Sequence, residues 1–210
     1  MPIQPEGKPL LCSKRLGVLG GTFDPPHYGH LALAEAAREQ LELTYVLFVP
    51  AGEPPHKPGR PITPAHHRAA MVQAAIADNP AFVLSRVDLD RPGPHYTVDM
   101  LALLEREHPC AVFFFLMGSD SLAEFPTWRD PARIIQKAVL AVMNRPGYPV
   151  DWGALERAVP GIRERVVFLD APLLDISASD LRRRAREGRS LRYLVPPAVE
   201  AYIQEHGLYR

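Results

Sequence analysis

The chain has 210 residues, 47% hydrophobic and 23% charged, ordinary proportions for one globular domain with a small appendage. Basic and acidic residues balance at 24 each, for a formal net charge of zero, which argues against broad electrostatic binding to nucleic acid or an acidic membrane face. An anionic ligand must then be held by local charge, in a pocket.

Cys12 and Cys110 lie far apart and without a CxxC partner, so they build neither a disulfide framework nor a thiolate metal cage. Residues 1–14 hold three prolines and little periodicity and read as a flexible leader. They carry no signal-peptide core, and no apolar run reaches bilayer length. The expectation is a cytoplasmic protein with no membrane and no nucleic-acid partner; a homo-oligomer is left open.

From Arg15 onward, short β-branched or aromatic runs alternate with helical patterns. Strands are predicted at 16–19, 45–49, 82–87, 111–117, 138–142 and 166–169, apolar on both faces as in a covered parallel sheet. Helices are predicted at 28–41, 64–78, 98–107 and 154–158, with Thr63-Pro64 and Thr97 as start signals. The alternation predicts an α/β fold, a Rossmann-like doubly wound parallel sheet over 15–175. Two helical runs with no strand between them, 179–187 and 197–205, predict a small C-terminal helical subdomain over 176–210. Residues 50–64 hold six prolines and two glycines, which predicts a long loop at a strand's C-terminal end, where ligands bind in open α/β sheets.

The first strand runs into Gly20-Gly21-Thr22-Phe23-Asp24-Pro25-Pro26-His27-Tyr28-Gly29-His30. A glycine turn entering a helix suits a phosphate, because the backbone can be approached closely and helix N-terminal N–H groups favour an anion. Neither G-x-G-x-x-G nor a P-loop is present. Instead His27 and His30, three residues apart, place two imidazoles on one face at the helix start, where they can donate to phosphate oxygens. Near the C-terminus, Ile176-Ser177-Ala178-Ser179-Asp180-Leu181-Arg182 is a second helix entry, with Ser177 or Ser179 as cap and Arg182 one turn in.

The string G-x-F-D-P-x-H-x-G-H resembles the signature of the nucleotidyltransferase superfamily related to class I aminoacyl-tRNA synthetases. The 176–182 segment resembles that superfamily's I-S-S-T-x-I-R element, with Ala178 for the second serine, Ser179 for threonine and Leu181 for isoleucine. Further segments make nearly the whole chain from Arg15 resemble the bacterial nicotinate-nucleotide adenylyltransferases. They are Pro50 to Lys57, Arg68, Gly93-Pro94-His95-Tyr96-Thr97, Gly118-Ser119-Asp120, Phe125 to Arg129, Arg145 to Pro149, and the terminal Tyr202 to Tyr209.

The resemblance implies adenylyl transfer from ATP, with Mg²⁺ on its phosphates, to nicotinate mononucleotide in NAD biosynthesis. It makes His27 and His30 catalytic. It gives ATP contacts to Gly20, Gly21, Thr22, Phe23, His27, His30, Gly118, Asp120, Ile176, Ser177, Ser179 and Arg182. It gives acceptor contacts to Lys57, Arg68, Tyr96, Thr97, Asp120, Trp128 and Arg129, with Lys57 and Arg68 on the phosphate, Asp120 on a ribose hydroxyl and Trp128 facing the cationic ring. His95 stands where a small residue is more usual, and His66, His67 and His108 read as surface histidines. Rival readings are a sister transferase for nicotinamide mononucleotide or another phosphate acceptor, a non-catalytic ATP sensor, and an RNA-binding relative of the synthetases, which the neutral charge disfavours.

Overall fold

The computed structural model describes residues 14–52, 62–144 and 149–210. Strands β1 (Arg15–Gly21), β2 (Tyr45–Pro50), β3 (Phe82–Leu84), β4 (Val112–Gly118), β5 (Ala138–Met143) and β6 (Val166–Leu169) form one sheet in the order β3-β2-β1-β4-β5-β6. All of its pairings are parallel. The order reverses between β1 and β4, and a crevice opens there at the strands' C-terminal ends.

Alternation along each strand feeds two cores. In β4, Phe113, Phe115 and Met117 join one cluster while Phe114 and Leu116 join the other. Helices α1 (Tyr28–Gln40) and α2 (Ala65–Ala75) cover one face, with Ala34, Ala37, Met71 and Val72 buried against it. Helix α3 (Thr97–Glu107) covers the other through Val98, Leu101 and Leu104. With both faces roofed, the strands carry apolar residues on either side, which is why their runs are legible.

The last helices, α7 (Ala178–Arg186) and α8 (Pro197–Glu205), bury Leu181, Val199 and Ile203 in the same cluster as α1 and α2. The C-terminal helices therefore share the core of the sheet.

Several expectations need correction. Strand β3 ends at Leu84 rather than at 87, because 86–90 closes into a turn with Leu89 N–H on Arg86 O and an Arg86–Asp90 ion pair. Thr97 is the first residue of α3, and Tyr96 is its N-cap. The stretch between β4 and β5 holds two short helices, α4 (Ser119–Glu124) and α5 (Pro131–Lys137), as well as a 3₁₀ turn over Phe125–Thr127. Helix α6 (Trp152–Ala158) begins two residues before its predicted start, capped by Asp151 accepting from Ala154 N–H. Asp130-Pro131, with a proline in the first turn, marks the start of α5.

The chain end returns to the first glycine turn. The Tyr209 hydroxyl donates to Oδ1 of Asp24 at 2.7 Å, and Asp24 is only 3% exposed. Burial first, then the Asp24 carboxylate, pushes the Tyr209 phenol well above its ordinary range. Tyr209→Phe strands a buried carboxylate oxygen and should cost about 1–3 kcal/mol in denaturant unfolding. The phenol ionises more readily in the unfolded chain than in the folded one. Its contribution is therefore complete below about pH 10 and is lost as the pH rises further. The phenylalanine variant should accordingly show a shallower alkaline loss of stability than the parent.

Candidate active site

At the exit of β1 the backbone turns sharply. Phe23 takes a positive φ of 51°, uncommon for a residue with a side chain, and its ring is buried against Phe48 with centroids 5.9 Å apart. The ring meets His30 edge-on at 5.0 Å. A hydrophobic anchor thus holds the turn that presents the histidines.

His27 is the extended N-cap of α1, and its ring lies 3.7 Å from that of His30. The His27 backbone N–H donates to Nδ1 of His30 at 3.2 Å. A neutral His30 then carries its proton on Nε2. Gly29 lets the chain pass close to His27, since a Cβ there would stand 3.0 Å from its Nδ1, tighter than an ordinary contact. Two imidazoles and the N-terminus of α1 therefore converge on one spot, an arrangement suited to a polyanion.

Helix α7 brings the second motif to the first. Ser177 caps it by accepting from Asp180 N–H at 3.2 Å, and its Oγ lies 3.3 Å from Ser179 Oγ. Arg182 donates from Nη1 to the carbonyl of Asp24 at 2.6 Å, across 158 residues of sequence. Ser177 and Ser179 are exposed and Arg182 is half-buried, while Ile176 packs on the core beneath. The hydroxyls and the guanidinium thus share the histidines' side of the crevice.

A pocket of about 190 Å³ adjoins this turn. Gly20, Gly21 and Thr22 form one wall, and Tyr96, Thr97, Trp128 and Arg129 line it as well. Trp128 is held by edge-to-face and tilted packing on Phe115 and Phe125, with centroids 5.8 and 5.4 Å away. It is a half-buried platform, neither core nor loose loop. The Arg129 guanidinium lies 5.9 Å from the Tyr96 ring centre. Gly118 and Asp120 stand at the exit of β4, with Gly118 the N-cap of α4 and Asp120 in its first turn.

Two pocket residues escaped sequence reasoning as site components. Asp88 is 4% exposed and accepts from Nε and Nη2 of Arg91 at 2.9 and 2.7 Å. Burial pushes its carboxyl up, and Arg91 pulls it back. His95, 7% exposed, sits beside it with Nε2 at 3.2 Å from Arg91 O. Its imidazole fills the hollow over Gly52, where a Cβ would stand 2.7 Å from Cε1 of His95 and 2.9 Å from Asp88 O. That large side chain is accommodated because position 52 is glycine.

Arg68 corrects its expectation. It is 1% exposed and lies beneath the loops instead of facing the crevice. Its Nε donates to Thr63 O at 2.8 Å, Nη1 to Thr22 O and Ala51 O at 2.9 and 2.6 Å, and Nη2 to Gly52 O at 2.7 Å. Burial lowers its pKa, with Asp24 and Tyr209 opposing. A guanidinium so enclosed holds protein carbonyls, not a substrate phosphate. Lys57 lies outside the described residues. His67 is likewise no simple surface histidine, for its Nδ1 lies 2.9 Å from the Tyr202 hydroxyl and its ring 5.3 Å from that of His206.

Residues 18–184 match the cytidylyltransferase-like family model. The chain is 57% identical over 196 residues to a Thermomicrobium roseum protein named "Probable nicotinate-nucleotide adenylyltransferase", covering 93% of this chain and 92% of that one. It is 47% identical to a protein of the same name from Thermus thermophilus, covering 93% and 100%. Among solved structures it resembles the Plasmodium falciparum nicotinic acid mononucleotide adenylyltransferase complexed with NaAD. That likeness has a TM-score of 0.75 at 20% identity, over 93% of this chain and 97% of the other. The strand order, the paired histidines and these likenesses agree, and the chain belongs to the nicotinate-nucleotide adenylyltransferase family of cytidylyltransferase-like nucleotidyltransferases.

Proposed function

We propose that this chain transfers the adenylyl group of ATP to nicotinate mononucleotide, forming nicotinate adenine dinucleotide and pyrophosphate. One observation carries the reading beyond family membership: the Gly20-Gly21-Thr22 turn that leads to the histidines also walls the pocket lined by Tyr96, Thr97 and Trp128. Donor and acceptor would then lie on either side of one short turn.

In this reading an oxygen of the acceptor phosphate attacks the α-phosphorus in line. A new P–O–P link forms, and the bond to the β-phosphate breaks, its electron pair leaving with pyrophosphate. The attacking oxygen is already anionic, so no side-chain nucleophile is needed and catalysis is positioning plus charge stabilisation. His30 would donate from Nε2 to the α-phosphate as charge builds. His27, Ser179 and Arg182 would hold the departing pyrophosphate, while Asp120 would bond a ribose hydroxyl.

Nucleotidyltransferases of this kind use a divalent metal with ATP, which we take to be Mg²⁺. Both oxygens of Asp24 accept from within the protein, from Tyr209 and from Thr63 N–H. The metal would therefore ride on phosphate oxygens, neutralising their charge. We place the reaction in the cytoplasm; no helix among the described residues is long and apolar enough to cross a membrane.

His30→Ala should lower kcat about 100- to 1000-fold while thermal unfolding stays near that of the parent; an unchanged rate removes His30 from the mechanism. Trp128→Ala should raise KM for nicotinate mononucleotide by the loss of about 0.5–2 kcal/mol of cation–π attraction, with little change in KM for ATP. Pyrophosphate release should be faster with nicotinate than with nicotinamide mononucleotide. Equal rates would favour the sister activity, and ATP binding without pyrophosphate release from any mononucleotide would make the protein a sensor.

A further inference from the structure

Three segments beyond the strand ladders meet at the crevice floor: the turn after β1, the turn after β2 and the entry to α2. Their carbonyls at Thr22, Ala51, Gly52 and Thr63 all accept from Arg68. Two of these segments are walls of the pocket, through Thr22 and Ala51. Thr22 belongs to the turn that leads to the histidines, whereas Ala51 and Gly52 form the side against which His95 packs. The Ala51 N–H donates to Gly21 O at 2.9 Å, a backbone link between the same two turns.

The second turn is gripped from both sides. Arg68 holds the carbonyl of Gly52 from below, at 2.7 Å. His95 and the carbonyl of Asp88 close on its Cα from the pocket side, leaving no space for a Cβ. Neither turn can shift without breaking a charge-assisted bond or driving backbone into backbone.

We infer that Arg68 is a positioning residue, setting the donor turn and the acceptor wall at the separation that in-line transfer requires. The inference rests on the adenylyl-transfer reading and deepens it. On that reading each half of the site would have its own ligand contacts, so binding of either substrate alone should not depend on the link. Transfer between them does, and a misplacement of about 1 Å can cost on the order of 100-fold in rate.

Arg68→Lys keeps the buried charge and loses the planar fork that reaches several carbonyls at once. The test measures unfolding, the separate Kd of a non-transferable ATP analogue and of nicotinate mononucleotide by calorimetry, and kcat from pyrophosphate release. The expected result is kcat lower by about 10- to 100-fold, with each Kd within about threefold of the parent. A merely structural arginine would instead lower the unfolding midpoint and leave kcat per folded molecule unchanged.

Should Arg68→Lys not fold, Gly52→Ala decides, because it displaces the same turn from the opposite side while Arg68 stays in place. It too should lose kcat and keep both Kd values, and adding His95→Ser should recover part of the loss. The inference is overturned by a folded Arg68→Lys, or failing that Gly52→Ala, with parental kcat. It is equally overturned by a loss expressed wholly as weaker binding of one substrate. A parent that releases no pyrophosphate from ATP and nicotinate mononucleotide refutes the adenylyl-transfer reading itself, and that result is read before any variant is made.

Discussion

Buried charge has to be satisfied by geometry, and at the C-terminal edge of this sheet that requirement organises everything above it. A guanidinium removed from water is costly unless its donors meet acceptors, and Arg68 meets carbonyls from the segments that frame the crevice. Parallel strands end there with carbonyls that no ladder pairs, so the same contacts relieve the backbone's own need for hydrogen bonds. Asp24 is the counterpart, a buried hydrogen-bond acceptor in the histidine turn. Its carboxylate takes the Tyr209 hydroxyl and the Thr63 N–H, and its carbonyl takes Arg182. Arg68 and Arg182 thus bind backbone oxygen, while Asp24 draws in the two ends of the chain's long return.

This network divides labour between motif residues that look alike in sequence. Asp24 sits at the centre of the histidine motif, yet it is 3% exposed and its partners are internal. It fixes the turn. His30 has its Nδ1 engaged by the backbone of His27, which in the proposed reading would leave Nε2 to donate to phosphate. Arg182 stands between these roles, tied to the turn by Nη1 and carried on a helix start whose serines are exposed. In the proposed reading phosphate recognition would fall to the histidines, Ser179 and Arg182, while the charges that shape the turn, Asp24 and Arg68, are buried beneath.

Much of this was legible in the sequence, for identifiable reasons. Strands covered on both faces carry unbroken apolar runs, and α1, α3 and α8 carry clear caps or periodicity, so the fold emerged with boundaries near those observed. The histidines could be placed because glycine, turn and helix start fall in one short string. What stayed hidden was set by tertiary contact. Arg68 reads as a phosphate contact because a single arginine on a helix gives no sign of which loops will descend on it. Asp88 and His95 lie between motifs, and their place in the pocket depends on how the 86–95 segment folds back over Gly52. The short α4 and α5 carry no apolar periodicity that separates them from the loop between β4 and β5.

If the pocket takes the acceptor as proposed, its mixed electrostatic environment can still favour a carboxylate. An aromatic platform such as Trp128 attracts a cationic ring whether that ring bears an acid or an amide, so stacking alone does not discriminate. Asp88 in the wall would oppose an anion, but Arg91 binds it through two nitrogens and shields it. The N-terminus of α3 begins at Tyr96 and Thr97, inside the same pocket. Its backbone N–H groups and dipole, equivalent to about half a positive charge, offer donors that an amide's N–H₂ cannot use and a carboxylate can. Arg129 adds a cation beside Tyr96. Selectivity for the acid would then come from fixed donors arranged by a helix start, the same device that the proposed reading gives the histidine turn for phosphate on the other side of the crevice.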